Sequence, residues 1–337
     1  TRPITAAEDK TPDKSTIYDE CDIVGINYNL NIYDTVHKMR PDKPIFASEC
    51  CATGTTRDWN FDTNTNGRIR DKDRDTNEWF LGREKTYKFL RERSYVFGCY
   101  QWVAVEHRGE AMWPRVCSAS GALDLFLQKK GAFYQNKSHW SAKPMAHIVP
   151  HWNFKGLEGK ELTVTVYTNC EELELFLNGK SFGKQQIEKY GHGEWNVEYT
   201  PGTLEVRGYI GGKEACCDKR VTTGKPAALK LTQDNDFKAN GSDIALFTCE
   251  CLDENGLTVP DAAEYVRFSV TAPAKIIGTG SDNCDHNNVA NTERKMYMGK
   301  IRIAVKPKQG QRSFTLTAMS GNCGIAALNC DCGLIFE

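Results

Sequence analysis

The sequence lacks several features that would place it in other classes of protein. Its 337 residues contain no apolar run approaching the roughly 20 residues that a membrane-spanning helix needs, so we expect no membrane span. The 43 basic and 44 acidic residues nearly cancel, and no basic stripe interleaved with aromatic residues is present, which argues against a nucleic-acid partner. The opening residues, TRPITAAEDK, also lack the apolar stretch of a signal peptide.

Zinc-type cysteine spacing is missing as well, although cysteine itself is abundant. None of the 14 cysteines belongs to a C-x2-C pair of the kind that holds structural zinc. Adjacent or alternating cysteines cannot be assigned to disulfides from sequence. In strands, Cys249 and Cys251 would point to one face, as would Cys330 and Cys332. We interpret the cysteines as small buried apolar residues with free thiols, which fits a reducing or anaerobic setting.

The first part of the chain, residues 1–143, alternates strand-like and helix-like patterns. The predicted strands cover 22–29, 43–49 and 94–106, and the predicted helices cover 32–40, Thr76–Arg93 and 122–140. In the first of these helices, Ile32, Val36 and Met39 fall on one side. Such alternation is typical of parallel β/α architecture, but three strands are too few to close an eight-stranded barrel.

After Pro144 the pattern changes to short strands joined by tight turns. Asn178-Gly179 and Gly211-Gly212 are hairpin signals, because both positions of such turns favour positive φ. A first sandwich of about 80 residues fits the immunoglobulin-like plan. The segment 222–231 has the composition of a linker, and a second all-β unit follows it. The predicted domains are therefore 1–143, 144–224 and 226–337.

Polar and aromatic residues follow the three predicted strands of the first domain. Asn27 and Tyr28 end the first strand, Glu49 ends the second, and Trp102 and Glu106 end the third. Each residue alone has an ordinary explanation, as a solvated strand end or as a core tryptophan. A parallel barrel, however, places its chemistry at the carboxyl ends of its strands, and an indole ring stacks on the C–H face of a pyranose. Together these residues favour a sugar-binding active site.

Several long motifs resemble glycoside hydrolase family 2, the β-galactosidase group. In chain order they are DIVGINYN, PIFASE, FGCYQWVAVEHRGEAMWP, SGALDLFLQKKGAFYQNKSHW, HIVPHWNF and LELFLNGKSFG. Their order resembles strands six to eight of the family's barrel followed by its C-terminal β modules, and TRPITAA resembles strand five. The resemblance implies a multidomain α/β plus all-β chain. It would comprise the C-terminal part of a (β/α)8 barrel followed by two immunoglobulin-like β-sandwich domains.

The resemblance also implies roles for the strand-end residues. Glu49 corresponds to the nucleophile of a retaining β-glycosidase, Tyr28 to the residue that steadies it, and Trp102 to a wall of the sugar site. The remaining implied substrate contacts are Asn27, Glu106 and His107. Many members of the family have Asp and Tyr where this chain has Glu106 and His107.

Retaining chemistry needs a second carboxylate, about 5–5.5 Å from the nucleophile, as acid/base. In the family this is the Glu of an Asn-Glu pair upstream of the nucleophile, and nothing upstream of Glu49 matches it. Asn77-Glu78 is the right dipeptide but follows Glu49. We therefore expect a fragment that begins partway through the barrel and is inactive alone.

Complete, the enzyme would hydrolyse terminal β-linked sugars of a carbohydrate substrate. The alternative is a non-catalytic carbohydrate-binding or scaffold fragment. The resemblance further implies a periplasmic or extracellular location, and it leaves open whether the protein forms a homo-oligomer.

The segment from Asp62 to Asp73 has the spacing of a calcium loop. Oxygen donors fall at positions 1, 3 and 5, glycine at 6 and a carboxylate at 12. The predicted ligands are Asp62, Asn64, Asn66, the Arg68 carbonyl and Asp73. Against this, Arg70 occupies position 9, position 12 is Asp rather than Glu, and no helix clearly precedes the loop. The alternative is a solvated insertion; no cofactor is required by the proposed chemistry, and calcium is the candidate.

Overall fold

The computed structural model describes residues 2–61 and 66–333 of the chain. The chain divides into two compact units. The first comprises Thr1–Pro150, Gly159–Tyr199 and Thr203–Arg220, and the second comprises His151–Glu158, Thr200–Gly202 and Val221–Glu337. Within the described ranges, no helix combines the length and the apolar character needed to cross a membrane.

The first unit contains a parallel sheet with helices packed on it. Its strands are β1 (Thr5–Glu8), β2 (Ile23–Asn27), β3 (Ile45–Cys50) and β4 (Val96–Gln101), hydrogen-bonded in that order. Its helices are α1 (Ile17–Glu20), a 3-10 turn (Leu30–Ile32), α2 (Tyr33–Met39), α3 (Arg83–Arg91) and α4 (Gly131–Trp140). The parallel arrangement and the three sequence-predicted strands are confirmed.

One face of this sheet forms the core of the β/α region. Val24, Ile26 and Ile45 are fully buried against the helices, which contribute Val36 and Tyr87. Burial of one such aliphatic side chain stabilises the fold by about 1.5–3 kcal/mol. The predicted apolar side of α2 is partly wrong, because Met39 is exposed and Tyr33 is buried in the face with Val36.

Helix α3 begins at Arg83, so the predicted start at Thr76 is wrong. The Asn77 side chain accepts hydrogen bonds from the backbone amides of Trp79 and Phe80 at 2.8 and 3.0 Å, which holds these residues in a turn. The Asp73 carboxylate then caps α3 by accepting the Arg83 amide hydrogen at 2.9 Å. Asn and Asp side chains compete with helical backbone bonding in this way. Capping from a distant carboxylate therefore fixes where this helix starts.

Helix α4 also starts later than predicted, at Gly131 rather than at 122. The Asp124 carboxylate accepts hydrogen bonds from the backbone amides of Phe126 and Gln128, both at 2.9 Å. Leu123 meanwhile forms bridges to Val105 and Lys129. Nearly half of the predicted helix, residues 122–130, is thus non-helical and contains a turn organised around one aspartate.

The rest of the first unit is a pair of antiparallel sheets. The strands are β5 (Ala146–Val149), β6 (Glu161–Thr168), β7 (Glu172–Leu177), β8 (Lys180–Gln186), β9 (His192–Glu198), β10 (Thr203–Ile210) and β11 (Lys213–Val221). They form sheets in the orders β5-β6-β9 and β11-β10-β7-β8. Both predicted hairpins are confirmed, because Asn178 and Gly179 have φ of 52° and 82° between β7 and β8, and Gly211 and Gly212 have positive φ between β10 and β11.

The second unit is a β-sandwich. The strands are β12 (Ala228–Gln233), β13 (Ala245–Leu252), β14 (Tyr265–Val270), β15 (Lys275–Gly280), β16 (Glu293–Lys295), β17 (Lys300–Lys306), β18 (Ser313–Ser320) and β19 (Gly324–Asp331). They form sheets in the orders β12-β13-β17-β15 and β16-β14-β18-β19. Buried side chains from both sheets, including Phe247 and Leu316, share one core. Residues 228–231, interpreted as linker, belong to β12.

The cysteines agree only in part with the interpretation as buried residues, because Cys217 is exposed and Cys99, Cys216 and Cys284 are partly exposed. All fourteen lie in the described residues and carry free thiols. Cys249 and Cys251 are both fully buried, as their shared face in β13 predicts. The division into three domains at 143 and 225 stays a prediction.

Candidate active site

The site residues lie where the parallel strands end. Asn27 at the end of β2 is the register partner of Glu49 in β3, and the Tyr28 amide donates to the Glu49 carbonyl at 2.8 Å. Immediately after the strands the backbone turns left-handed, with φ of 55° at Tyr28 and 63° at Cys51. Non-glycine residues adopt this region rarely, and such positions concentrate at functional sites. The two turns deliver Tyr28 beside Glu49.

The Tyr28 hydroxyl donates a hydrogen bond to Glu49 Oε2 at 3.0 Å. Burial of the phenol, followed by the charge of the Glu49 carboxylate, raises the pKa of Tyr28 well above its usual range. Tyr28 therefore stays protonated and acts as a donor throughout the physiological pH range. Both residues are half-buried, so the carboxylate is oriented and still accessible. A carboxylate held in this way can attack an electrophile from one fixed direction.

Neighbouring side chains hold this pair in place. The Ser48 hydroxyl donates to Asn27 Oδ1 at 2.7 Å, which orients the Asn27 amide at the end of β2. The Phe80 ring packs edge-on against Tyr28, with 4.8 Å between ring centroids. Phe80 was not predicted as a site residue, because the sequence pattern assigned it to the apolar side of a helix.

Trp102 belongs to a second cluster at the end of β4. Its backbone amide donates to the Cys50 carbonyl at 2.8 Å, which places it beside the residue that follows Glu49. Its indole Nε1 donates to Glu110 Oε2 at 3.4 Å. The His107 ring lies edge-on to the indole at 5.5 Å, and its Nε2 is 3.4 Å from the same Glu110 oxygen.

Glu110 was not predicted from the sequence. After burial and Glu49, the charge of Glu110 also contributes to raising the pKa of Tyr28, which links the two clusters electrostatically. The feature of the sequence that could have identified Glu110 is its position three residues after His107, in the same strand-end loop. The structure thus brings Tyr28, Glu49, Trp102 and His107 to one edge of the sheet.

Glu106 has a different environment from the one expected of a substrate contact. Its carboxylate accepts a hydrogen bond from Lys130 Nζ at 2.6 Å, and both side chains are 0% exposed. The Cys117 thiol points to the other carboxylate oxygen at 3.8 Å. Gly121 lies directly against Glu106, since a Cβ there would be 2.8 Å from Glu106 Cγ. This burial favours a structural role for Glu106 over the predicted substrate contact.

The predicted calcium loop is only partly described. Asp62 and Asn64 lie outside the described residues. Asn66 and the following Gly67 have positive φ, and the Arg68 guanidinium lies 5.6 Å from the centre of the Trp59 ring. The Asp73 carboxylate accepts hydrogen bonds from the amides of α3 and, at 2.8 Å, from the side chain of Gln135. Over residues 2–61 and 66–333, no cluster of three or more His, Cys, Asp or Glu side chains could hold a metal ion. Calcium binding stays a prediction.

Comparison with known families gives two matches. Residues 229–329 match the model described as glycoside hydrolase family 2 C-terminal domain 5. Residues 159–216 match a domain of unknown function, DUF4982. The two matched regions fall in the antiparallel part of the chain, in agreement with the mostly β-sheet structure.

Curated relatives are glycosidases by name. The chain is 29% identical to the β-galactosidase BoGH2A of Bacteroides ovatus, over 94% of this chain and 40% of that protein. It is 31% identical to a putative β-glucuronidase of Formosa agariphila, over 73% of this chain and 25% of that protein. The chain therefore spans less than half the length of these relatives.

Solved structures agree over nearly the whole chain. A glycosyl hydrolase family 2 member from Bacteroides cellulosilyticus matches with a TM-score of 0.80 and 28% identity, over 98% of this chain and 43% of that one. A β-glycosidase from Bacteroides vulgatus has the same fold, with a TM-score of 0.87 at 24% identity, over 98% of this chain and 47% of that one. On these matches, together with the family model, the chain belongs to glycoside hydrolase family 2.

Proposed function

We propose that this chain supplies the nucleophile of a retaining β-glycosidase and that Glu49 is that nucleophile. The observation that carries the proposal is the hydrogen bond from Tyr28 to Glu49 at the ends of adjacent parallel strands. The named relatives, which are β-galactosidases and β-glucuronidases, support the same reaction class. The substrate is a terminal β-linked sugar.

The two steps of the reaction follow from a positioned carboxylate. A Glu49 oxygen attacks the anomeric carbon, so that a carbon–oxygen bond to the enzyme forms while the bond to the leaving group breaks. Water then attacks the glycosyl-enzyme and releases Glu49. The Tyr28 hydroxyl holds the carboxylate for attack, and the Trp102 ring offers a face to the sugar.

The acid/base carboxylate is proposed to lie outside this chain. The first step needs a proton on the departing oxygen, and a retaining enzyme places the donor roughly 5–5.5 Å from the nucleophile. Glu110 is the carboxylate of the strand-end loop, but its Oε2 lies 3.4 Å from both the Trp102 indole nitrogen and His107 Nε2. We assign Glu110 to holding those two rings.

We also propose how the strands and sheets correspond to the domains of the family. Strands β1–β4 correspond to the last four strands of a (β/α)8 barrel, and the antiparallel sheets correspond to two immunoglobulin-like domains. The parallel pairing with helices on one face and the likeness to the Bacteroides cellulosilyticus structure support this proposal. We also propose a periplasmic or extracellular location for the protein.

The test is covalent labelling of the complete enzyme by an activated 2-deoxy-2-fluoro glycoside, read by peptide mass spectrometry. Glu49→Gln is expected to abolish labelling, because an amide is a far poorer nucleophile than a carboxylate. Glu110→Gln is the matched control, since it makes the same chemical change at a neighbouring carboxylate and should leave the label on Glu49. A label on any other residue would overturn the assignment.

A second measurement addresses the acid/base. The 337-residue chain alone is expected to show no hydrolysis of natural β-galactosides, because nothing protonates the leaving oxygen. Turnover by this chain alone would show that it contains the acid. If the complete enzyme is unlabelled and inactive although folded, the chain is a carbohydrate-binding or scaffold element instead.

A further inference from the structure

In the antiparallel sheets two pairs of cysteine side chains lie in contact, one in each region; Cys50 and Cys51 at the end of β3 are a further pair, with their sulfurs 3.5 Å apart. Cys170 follows β6, Cys216 lies in β11, and their sulfurs are 3.5 Å apart. Cys251 lies in β13, Cys323 lies in the turn before β19, and their sulfurs are 3.7 Å apart. In each of the two pairs in the antiparallel sheets, the cysteines come from strands or connections of different sheets. A bond between them would tie one sheet to the other.

The Cys170–Cys216 pair packs against a glycine, Gly208. Gly208 lies in β10, next to β11, and a Cβ at this position would be 2.7 Å from Cys170 Sγ and 2.8 Å from Cys216 Sγ. Any side chain there would displace the sulfurs. Both sulfurs therefore pack against Gly208, in the space that a Cβ at this position would occupy. A disulfide needs a sulfur–sulfur distance of about 2.05 Å, so the two sulfurs must approach further for the bond to form.

The electrostatics of the pair make Cys170 reactive. The hydrogen bond between the two thiols, opposed by burial, lowers the pKa of Cys170, and the same hydrogen bond together with burial raises the pKa of Cys216. A lowered pKa increases the fraction of Cys170 that is thiolate at neutral pH, and the thiolate is the nucleophilic form. Cys216 is the partner thiol, held against it.

We propose that Cys170 and Cys216 are a redox-active thiol pair, which a peroxide converts to a disulfide that joins the end of β6 to β11. The Cys170 thiolate attacks one peroxide oxygen, the O–O bond breaks, and sulfenic acid forms with release of hydroxide. The Cys216 sulfur then attacks the Cys170 sulfur, the S–O bond breaks, and water leaves with the Cys216 proton. Two thiols are oxidised by two electrons, and one peroxide is reduced.

The second pair serves as an internal comparison. Cys251 is fully buried and Cys323 is nearly so, and burial raises the pKa of Cys251 to about 12. Very little of the Cys251 thiol is ionised at neutral pH. A more acidic thiol is intrinsically a weaker nucleophile, but more of it is present as thiolate, so we expect the first pair to oxidise before the second.

The experiment is a time course of the full 337-residue chain with hydrogen peroxide. Free thiols are blocked with one alkylating reagent, disulfides are reduced, and the released thiols are labelled with a second reagent before peptide mass spectrometry. We expect the Cys170 and Cys216 peptides to gain the second label together, before the Cys251 and Cys323 peptides. Non-reducing digestion should give the Cys170–Cys216 cross-linked peptide, and dithiothreitol should reverse it.

Two variants separate a built pair from a chance contact. Cys217→Ser alters the exposed neighbour of Cys216 and should leave the cross-link unchanged. Gly208→Ala places a methyl group between the sulfurs and should lower the cross-link yield severalfold. Oxidation of Cys217 alone, equal rates for the two pairs, or an unaffected yield in Gly208→Ala would each overturn the proposal. Because the wild-type time course is decisive by itself, the test does not depend on any variant folding.

Discussion

Replacing Lys130 by Met tests the structural role assigned to Glu106. Lys130 Nζ lies 2.6 Å from Glu106 Oε1, and both side chains are 0% exposed. Lys130 also donates to the Ala119 carbonyl at 2.8 Å. Removing one partner of a buried ion pair leaves an uncompensated charge in a low-dielectric site and typically costs about 3–5 kcal/mol of folding free energy. We expect Lys130→Met to fall in that range.

The loss should depend on pH in a defined direction. Without Lys130, burial would raise the pKa of the Glu106 carboxyl above its usual value of about 4.3. The folded variant then binds a proton that the unfolded chain releases, so its stability falls as pH rises through the raised pKa. The limiting slope is about 1.4 kcal/mol per pH unit. The difference between wild type and Lys130→Met should therefore shrink as the pH is lowered from about 7 to about 5.

The assay is urea denaturation followed by circular dichroism at several pH values. The double variant Glu106→Gln/Lys130→Met removes both charges of the pair, so it should be more stable than Lys130→Met at about pH 7 and lose the part of the pH slope that comes from Glu106. The buried Asp71 carboxyl, whose pKa burial raises and the Lys130 charge lowers, is present in both variants. Lys88→Met is the matched control, because Lys88 pairs with Glu84 and Glu188 in partly exposed bridges that contribute about 0–1 kcal/mol. A cost below about 1 kcal/mol for Lys130→Met, or a pH-independent cost, would refute the argument.

Three further predictions follow from contacts in the two units. Tyr28→Phe removes the hydroxyl that holds Glu49, and loss of a charged hydrogen bond should slow labelling by a 2-fluoro glycoside roughly ten- to hundredfold; an unchanged rate would contradict the positioning role. Glu84 Oε2 and His192 Nδ1 are 2.5 Å apart. Burial raises the pKa of Glu84, but hydrogen bonds from His192 and Lys88 lower it to about 2, and the hydrogen bond to Glu84 raises the pKa of His192. The pair should therefore stabilise the first unit most between about pH 4.5 and 6.5. The Glu84 contribution is lost as pH falls toward 2, and the His192 contribution is lost as pH rises through the raised pKa of His192. A His192→Gln variant with a melting-temperature deficit that does not vary with pH would contradict this. Phe247 is fully buried, so Phe247→Ala should cost about 3–5 kcal/mol in urea denaturation, and a cost below about 1 kcal/mol would show that the second unit can repack.

The sequence by itself determined the features that depend on near neighbours. Alternating and β-branched runs predicted β2, β3 and β4, because strand side chains repeat with a period of two and a doubly covered strand is apolar throughout. The Asn178-Gly179 and Gly211-Gly212 turns were predictable because the backbone of a two-residue hairpin needs positive φ at those positions. The placement of Glu49 at a strand end was predictable for the same local reason.

Only the tertiary structure decided the partners of polar groups that are distant in sequence. Helix α3 begins at Arg83 because the Asp73 carboxylate accepts its first amides, and periodicity within the helix carries no record of that cap. Glu106 and Lys130 are 24 residues apart and become a buried pair only after the chain has folded.

Glu110 and Phe80 show the same limit at the candidate site. Each side chain looks ordinary in its own segment. Glu110 acquires a role by lying against Trp102, eight residues away at the end of β4, and Phe80 acquires one by lying against Tyr28, which comes from another part of the chain. The hydrophobic pattern of a sequence predicts which residues are buried, because burial follows from composition and spacing. It does not report which donor meets which acceptor, because that depends on the three-dimensional path of the whole chain.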